Sequence, residues 1–145
     1  MYYIKTRAAF DSAHFLKDYN GKCANIHGHR WVIELTAAGS KLTEQGETKG
    51  MLMDFGDIKR ELKALADSFD HALIYEKGTL MKKTLDALAD EGFRLIEIPM
   101  RPTAENFAGY FFSILKEKGL PVKKVTVFET PDNCAAYEED EPCSL

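Results

Sequence analysis

From His29 to Ala37 the chain reads HRWVIELTA, an alternation with a period of two residues. His29, Trp31, Ile33, Leu35 and Ala37 share one face, and Arg30, Glu34 and Thr36 share the other. Only an extended strand buried on one side puts these five side chains together. A helix would turn each member about 200° from the last and scatter them round its axis. A strand of this kind needs neighbouring strands along its edges and an apolar layer over its buried face.

The rest of the sequence supplies both. Tyr2 to Phe10 alternates more loosely, with Ile4, Ala8 and Phe10 set against Lys5 and Arg7, and predicts a first strand. VKKVTVFET (122–130) alternates as a strand, and CAAYEE (134–139) reads as its return. Between these pairs lie helical patterns. Ile58, Leu62, Leu65 and Phe69 recur at helical spacing and predict a helix over 57–68, and TLMKKTLDALADEG forms a second helical stretch ending on Gly92. FRLIEIP reads as a brief strand stopped by Pro99. Thr103 follows Pro102 as the N-cap of a third helix lined by Phe107, Phe111 and Leu115, with Gly119 and Pro121 closing it. GSKLTEQGETKG, with Gly at both ends, is the loop that leaves the strand after Ala37. The expectation is an α+β protein, one domain over residues 1–145, with helices on one face of an antiparallel sheet.

A net charge of −4 gives no general attraction to nucleic acid or to an anionic membrane, so an anionic substrate must meet a local basic patch. MYYIKTRAAF lacks the basic and apolar regions of a signal peptide, and no run reaches the ~18 apolar residues of a membrane span. Cys23, Cys134 and Cys143 are an odd, sparse set without disulfide spacing, which fits a reducing cytoplasm. The acidic stretch EEDEP near the C-terminus is expected to be solvated.

The chemistry concentrates in KCANIHGHRW, residues 22–31, where one cysteine and two histidines fall within seven positions. His27 and His29 are two apart on a strand, so both rings point the same way from Cα atoms roughly 6.5–7 Å apart. That separation lets two imidazoles converge on one ion. His14 lies just past the first strand. If the two strands form a hairpin, it joins the pair as a third ligand and leaves a fourth position open. Cys23 has two readings, a fourth ligand closing the centre or a base beside an open one, since a nearby cation acidifies a thiol. Asp70 and His71 in FDHALIY make a candidate proton-handling pair. Glu129 puts a carboxylate on the face of Val125 and Val127, where an apolar residue is expected. There it can accept two N–H donors from a flat heterocycle.

The motifs FDSAHFL, CANIHGH, MDFGDIK, DHALI, PTAEN and VFETP run in this order from residue 10 to about 131. Together they resemble the 6-pyruvoyltetrahydropterin synthase family, which includes a queuosine-pathway branch. The resemblance implies a tunnelling fold (T-fold): antiparallel strands with two main helices on one face, sheets joined into a barrel on oligomerisation, and active sites between subunits. It implies Zn2+ held by His14, His27 and His29, with Cys23 as catalytic base and Asp70 and His71 completing its proton relay. Glu129 would anchor the pterin ring, with Thr103 and Glu105 near the same pocket.

The partner so implied is a small pterin triphosphate, bound by a homo-oligomer with no direct contact to nucleic acid or membrane. The implied reaction is that of a carbon–carbon lyase, converting 7,8-dihydroneopterin triphosphate to 6-carboxy-5,6,7,8-tetrahydropterin with loss of acetaldehyde and triphosphate. Three residues separate Cys23 from His27, as in the queuosine-type members, whereas the animal pyruvoyl synthases have a longer gap. The pyruvoyl reaction would use the same residues. A zinc-stabilised binding module without turnover would have no use for Asp70, His71 or Glu129. Two features depart from the family pattern: DHALIY lacks a following Asn, and the segment from Lys77 to Arg101 is long. No G-x-x-x-x-G-K-[ST] loop is present, so Lys17, Lys22 and Arg30 are the nearest cations for a triphosphate.

Overall fold

The structure is a computed structural model that describes residues 1–139. Cys143 and the acidic stretch from Asp140 onward lie outside the described residues. Strands β1 (Tyr2–His14) and β2 (His27–Gly39) form a long antiparallel hairpin, with Tyr2 opposite Gly39 and His14 opposite His27. Directly opposed residues share a face, so Phe10–Trp31, Ser12–His29 and His14–His27 succeed one another on the core side. β1 is longer than the alternation suggests. Ser12 and His14 hold the buried face although they are polar, so His14 ends the strand rather than following it.

β5 (Val122–Thr130) adds antiparallel to β2, and β6 (Asn133–Glu138) returns along β5. On the other flank β3 (Leu73–Glu76) and β4 (Leu95–Ile98) complete the order β4-β3-β1-β2-β5-β6. β3 runs parallel to both β1 and β4, so the sheet is mixed rather than wholly antiparallel. The cause is the connection, because a chain that leaves β3 through a helix returns alongside in the same direction. That helix is α2 (Lys82–Asp90), which contributes no buried residue to the fold.

Two other helices cover the core face. α1 (Phe55–Phe69) packs on β1, and α3 (Ala104–Glu117) packs on β5 and β6. Each begins on a side-chain cap: Asp54 accepts from the Gly56 N–H at 2.6 Å, and Thr103 accepts from the Asn106 N–H at 3.3 Å. Ile58, Leu62 and Leu65 of α1 and Phe107, Phe111 and Leu115 of α3 close over Phe10, Trp31, Ile33 and Leu35. Apart from Thr6, the core is thus apolar along most of the hairpin, and it turns polar at the end carrying Ser12, His14, His27 and His29. Among the described residues no helix is long and apolar enough to cross a membrane. In the acidic stretch, Glu138 closes β6 and Glu139 pairs with Lys116, both remaining exposed.

Candidate metal centre

The polar end of the hairpin gathers three imidazoles. His14 and His27 face each other across the register, with Nε2 atoms 3.1 Å apart, and His29 lies two residues along β2. Ring centroids are 4.5 Å apart for His14–His27, 5.1 Å for His14–His29 and 5.0 Å for His27–His29. Glu129 reaches in from β5, its Oε1 3.4 Å from His14 Nε2 and 3.2 Å from His29 Nε2. One donor atom from each of the four lies within 4.8 Å of every other.

The hydrogen bonds fix which ring nitrogen is free. His14 Nδ1 lies 2.7 Å from the Pro102 carbonyl, and His27 Nδ1 lies 2.7 Å from the Asn25 carbonyl. A carbonyl only accepts, so both Nδ1 atoms carry the proton and both Nε2 atoms present lone pairs. Two lone pairs facing at 3.1 Å repel unless a proton or a metal ion lies between them. A proton on His14 is disfavoured. Burial pushes His14 down to about 4, helped by the charges of His27 and His29 and opposed by the Pro102 carbonyl. His29 is lowered as well, chiefly by burial, against the pull of Glu129. His29 Nε2 is buried and makes no hydrogen bond of acceptable angle, although Glu129 stands near. Neutral imidazoles oriented through Nδ1 onto carbonyls, with their Nε2 atoms converging, are the usual preparation of histidine for a metal. The four residues fit a divalent ion of zinc type, which takes imidazole and carboxylate donors.

Trp31 sits directly behind the rings, its indole 5.0 Å from His14 and 5.3 Å from His29 and fully buried against Phe107 and Phe10. The centre therefore rests on the core. In front of it, His14 and Glu129 open onto a cavity of about 270 Å³ that is also lined by Thr103, Glu105, Asn133 and Cys134. Thr103 and Glu105 thus line the same cavity as Glu129.

The other expected residues lie elsewhere. Cys23 sits half-buried in a short 3-10 turn (Lys22–Ala24) and is not a member of the metal-type group, where Glu129 stands instead. Asp70 and His71 do form a pair, His71 Nδ1 to Asp70 Oδ2 at 2.7 Å, but among the described residues no side-chain hydrogen bond joins them to Cys23. The pair is clamped to β1. The Asp11 N–H donates to Asp70 Oδ1 at 2.8 Å, and the His71 N–H donates to the Asp11 carbonyl at 2.6 Å. The Asp11 amide first, then His71, hold the Asp70 carboxyl below its usual range. His71 is left exposed at φ 51, a left-handed conformation that few non-glycine residues adopt. It lines a second cavity of about 670 Å³ with Asp11, His29, Arg30, Phe93 and Arg94. Arg30 is already paired with Asp11 at 3.0 Å, and Lys17 lines a separate cavity with Glu76 and Arg101.

Three contributions escape sequence reasoning: the Pro102 and Asn25 carbonyls, the Asp11 clamp, and the approach of Glu129 to the histidines. The first two are backbone roles without residue identity. The third had a signal, since alternation puts Glu129 on the same buried face as Val125 and Val127.

An α+β chain thus sets four metal-type donors at the open end of its core, with the tautomers of His14 and His27 already fixed, and this group could hold a metal ion. Residues 3–140 match the 6-pyruvoyl tetrahydropterin synthase family, and the chain belongs to that family. It is 32% identical over 142 residues to 6-carboxy-5,6,7,8-tetrahydropterin synthase of Haemophilus influenzae, covering 96% of this chain and 100% of that one. It is 35% identical over 129 residues to the enzyme of the same name from Aquifex aeolicus, covering 82% and 77%. Among solved structures, Caenorhabditis elegans 6-pyruvoyl tetrahydropterin synthase superposes with a TM-score of 0.66 at 25% identity, over 96% of each chain. The fold is the T-fold that the motifs imply.

Proposed function

We propose that the protein is a zinc-dependent 6-carboxy-5,6,7,8-tetrahydropterin synthase. Its substrates are 7,8-dihydroneopterin triphosphate and water, its by-products are acetaldehyde and triphosphate, and its product feeds queuosine synthesis in the cytoplasm. The observation that carries the reading is the convergence of three imidazoles, two of them with Nε2 lone pairs set by the Pro102 and Asn25 carbonyls, in a chain of this family. The carboxy rather than the pyruvoyl product is favoured by the names of the curated relatives and by the three residues between Cys23 and His27.

His14, His27 and His29 would hold the zinc ion, which would supply Lewis-acid stabilisation of side-chain oxygens. The remaining work falls to the chain. Glu129, with Thr103 and Glu105 lining its cavity, holds the flat ring and so orients the side chain toward the histidines. Cys23 removes a carbon-bound proton, and an Asp70–His71 pair takes the proton onward. Within one chain the pair is not joined to Cys23, so we assign the relay to a homo-oligomer in which sheets close into a barrel and neighbouring chains complete the site. Mass spectrometry of the products formed from dihydroneopterin triphosphate by the zinc-loaded protein tests the proposal. Carboxytetrahydropterin with acetaldehyde supports it, and a pyruvoyl product moves the chain to the sister reaction. No conversion at full zinc occupancy leaves a binding module.

A further inference from the structure

Glu129 stands where two interruptions of the sheet meet. Its pairing to β2 ends at Val32–Phe128, and the β6 register shifts between Phe128 and Thr130, so Glu129 is paired in neither ladder. An irregularity of this kind frees one residue from the ladder and re-aims its side chain. Here the side chain points at the histidines rather than along the cavity wall. Three of the donor separations are those of a coordination shell. Four ligands at 2.0–2.1 Å in a tetrahedron stand about 3.3–3.4 Å from one another. The chain holds His14–His27 at 3.1 Å, His14–Glu129 at 3.4 Å and His29–Glu129 at 3.2 Å. A carboxylate reserved for a heterocycle has no need to match that shell.

We propose that Glu129 is the exchangeable fourth ligand of the metal. In the resting protein its carboxylate occupies the position that the three histidines leave open, and an entering pterin displaces it. One oxygen donor leaves as a substrate oxygen arrives, so the coordination number stays at four. The released carboxylate then turns to the ring N–H groups in the cavity it already lines with Thr103 and Glu105. Its side chain is about a third exposed, 32%, which leaves it room to move, whereas His14 at 2% is fixed. The consequence is selectivity: water is kept from the metal until a ligand arrives that offers both an oxygen for the ion and a ring for the carboxylate. This inference rests on the zinc reading above.

The test is cobalt substitution of the full-length protein, read by visible absorption. Wild type is expected to bind one cobalt per chain and to change its spectrum when 7,8-dihydroneopterin, which lacks the triphosphate, is added. Glu129→Gln and Glu129→Ala, the second offering no donor at all, are expected to show altered spectra before any pterin. Their cobalt affinity should fall by about tenfold or more in chelator competition, with far-UV circular dichroism confirming that both are folded. Spectra and affinities identical to wild type, at one cobalt per chain, overturn the role of Glu129 and leave the zinc reading standing. Failure of wild type to bind cobalt overturns both.

Discussion

Removing the metal should cost the protein a defined amount of stability, and His27 is the residue that isolates it. His27 is half-exposed, its Nδ1 bonded to the Asn25 carbonyl and its Nε2 facing that of His14 at 3.1 Å. It lies outside the apolar cluster of Trp31, Phe107 and Ile58. His27→Ala therefore removes a ligand, and with it the facing lone pair, while leaving the core filled. In wild type, free zinc at a thousand times its dissociation constant adds about 4 kcal/mol to the folded state by mass action. For a chain of this length each kcal/mol moves the midpoint by about 2–4 °C, so zinc should raise Tm by about 8–16 °C. The assay is thermal unfolding followed by circular dichroism, at equal protein concentration, in chelator and in excess zinc. His27→Ala in chelator is expected within about 1 kcal/mol of metal-free wild type, and zinc should move its midpoint by less than a third as much. A shift of full size in His27→Ala, or none in wild type, would refute the argument from lone pairs.

Cys23→Ala should keep one zinc per chain and lose turnover by two orders of magnitude or more, the scale of proton transfer by a positioned side chain. Metal analysis together with a rate measurement decides this, and zinc lost with activity would contradict the placement of Cys23 outside the metal group. Metal-free protein should weaken as pH falls from 6.5 toward 4. Over that window unfolded chains bind a proton that His14, lowered to about 4 in the fold, refuses. The slope approaches about 1.4 kcal/mol per pH unit, with His29 adding in the same direction and no contribution above 6.5. Urea unfolding at pH 7 and pH 5 checks the sign, and equal stabilities would sink it. Trp31→Ala should cost about 3–5 kcal/mol, because a fully buried indole packed on Phe107, His14 and His29 leaves a cavity that cannot collapse. The same substitution should weaken zinc binding. A loss below 1 kcal/mol in denaturant would show that the rings do not rest on it.

How far the site could be read from sequence depends on which residues carried a period. The five alternating side chains from His29 to Ala37 placed β2, its buried face and His29 without help from any other element, and His27 continues the same period two residues earlier. β1 was harder, because Ser12 and His14 occupy core-facing positions with polar side chains. The apolar rhythm therefore stops at Phe10 while the strand runs on to His14. β3 carries no rhythm at all. Ile74 and Tyr75 are adjacent and both buried, and four residues are too few to distinguish a strand from the end of a helix. Its direction is set by Leu95 and Ile96 of β4, twenty-two residues away in the chain, and not by anything local. The same limit governs the chemistry. His14, His27 and His29 could be grouped by supposing a single hairpin, a local act of folding. Bringing Glu129 to them requires β5 to lie beside β2 and a break in the ladder at one residue. Fixing the tautomer of His14 requires the Pro102 carbonyl, 88 residues distant, at the entrance to α3. The ligands are thus written in side chains and legible as motifs, whereas their orientation is written in backbone positions that any residue could supply. For that reason substitutions that shift the segment from Arg101 to Thr103 should disturb the metal centre without touching a ligand.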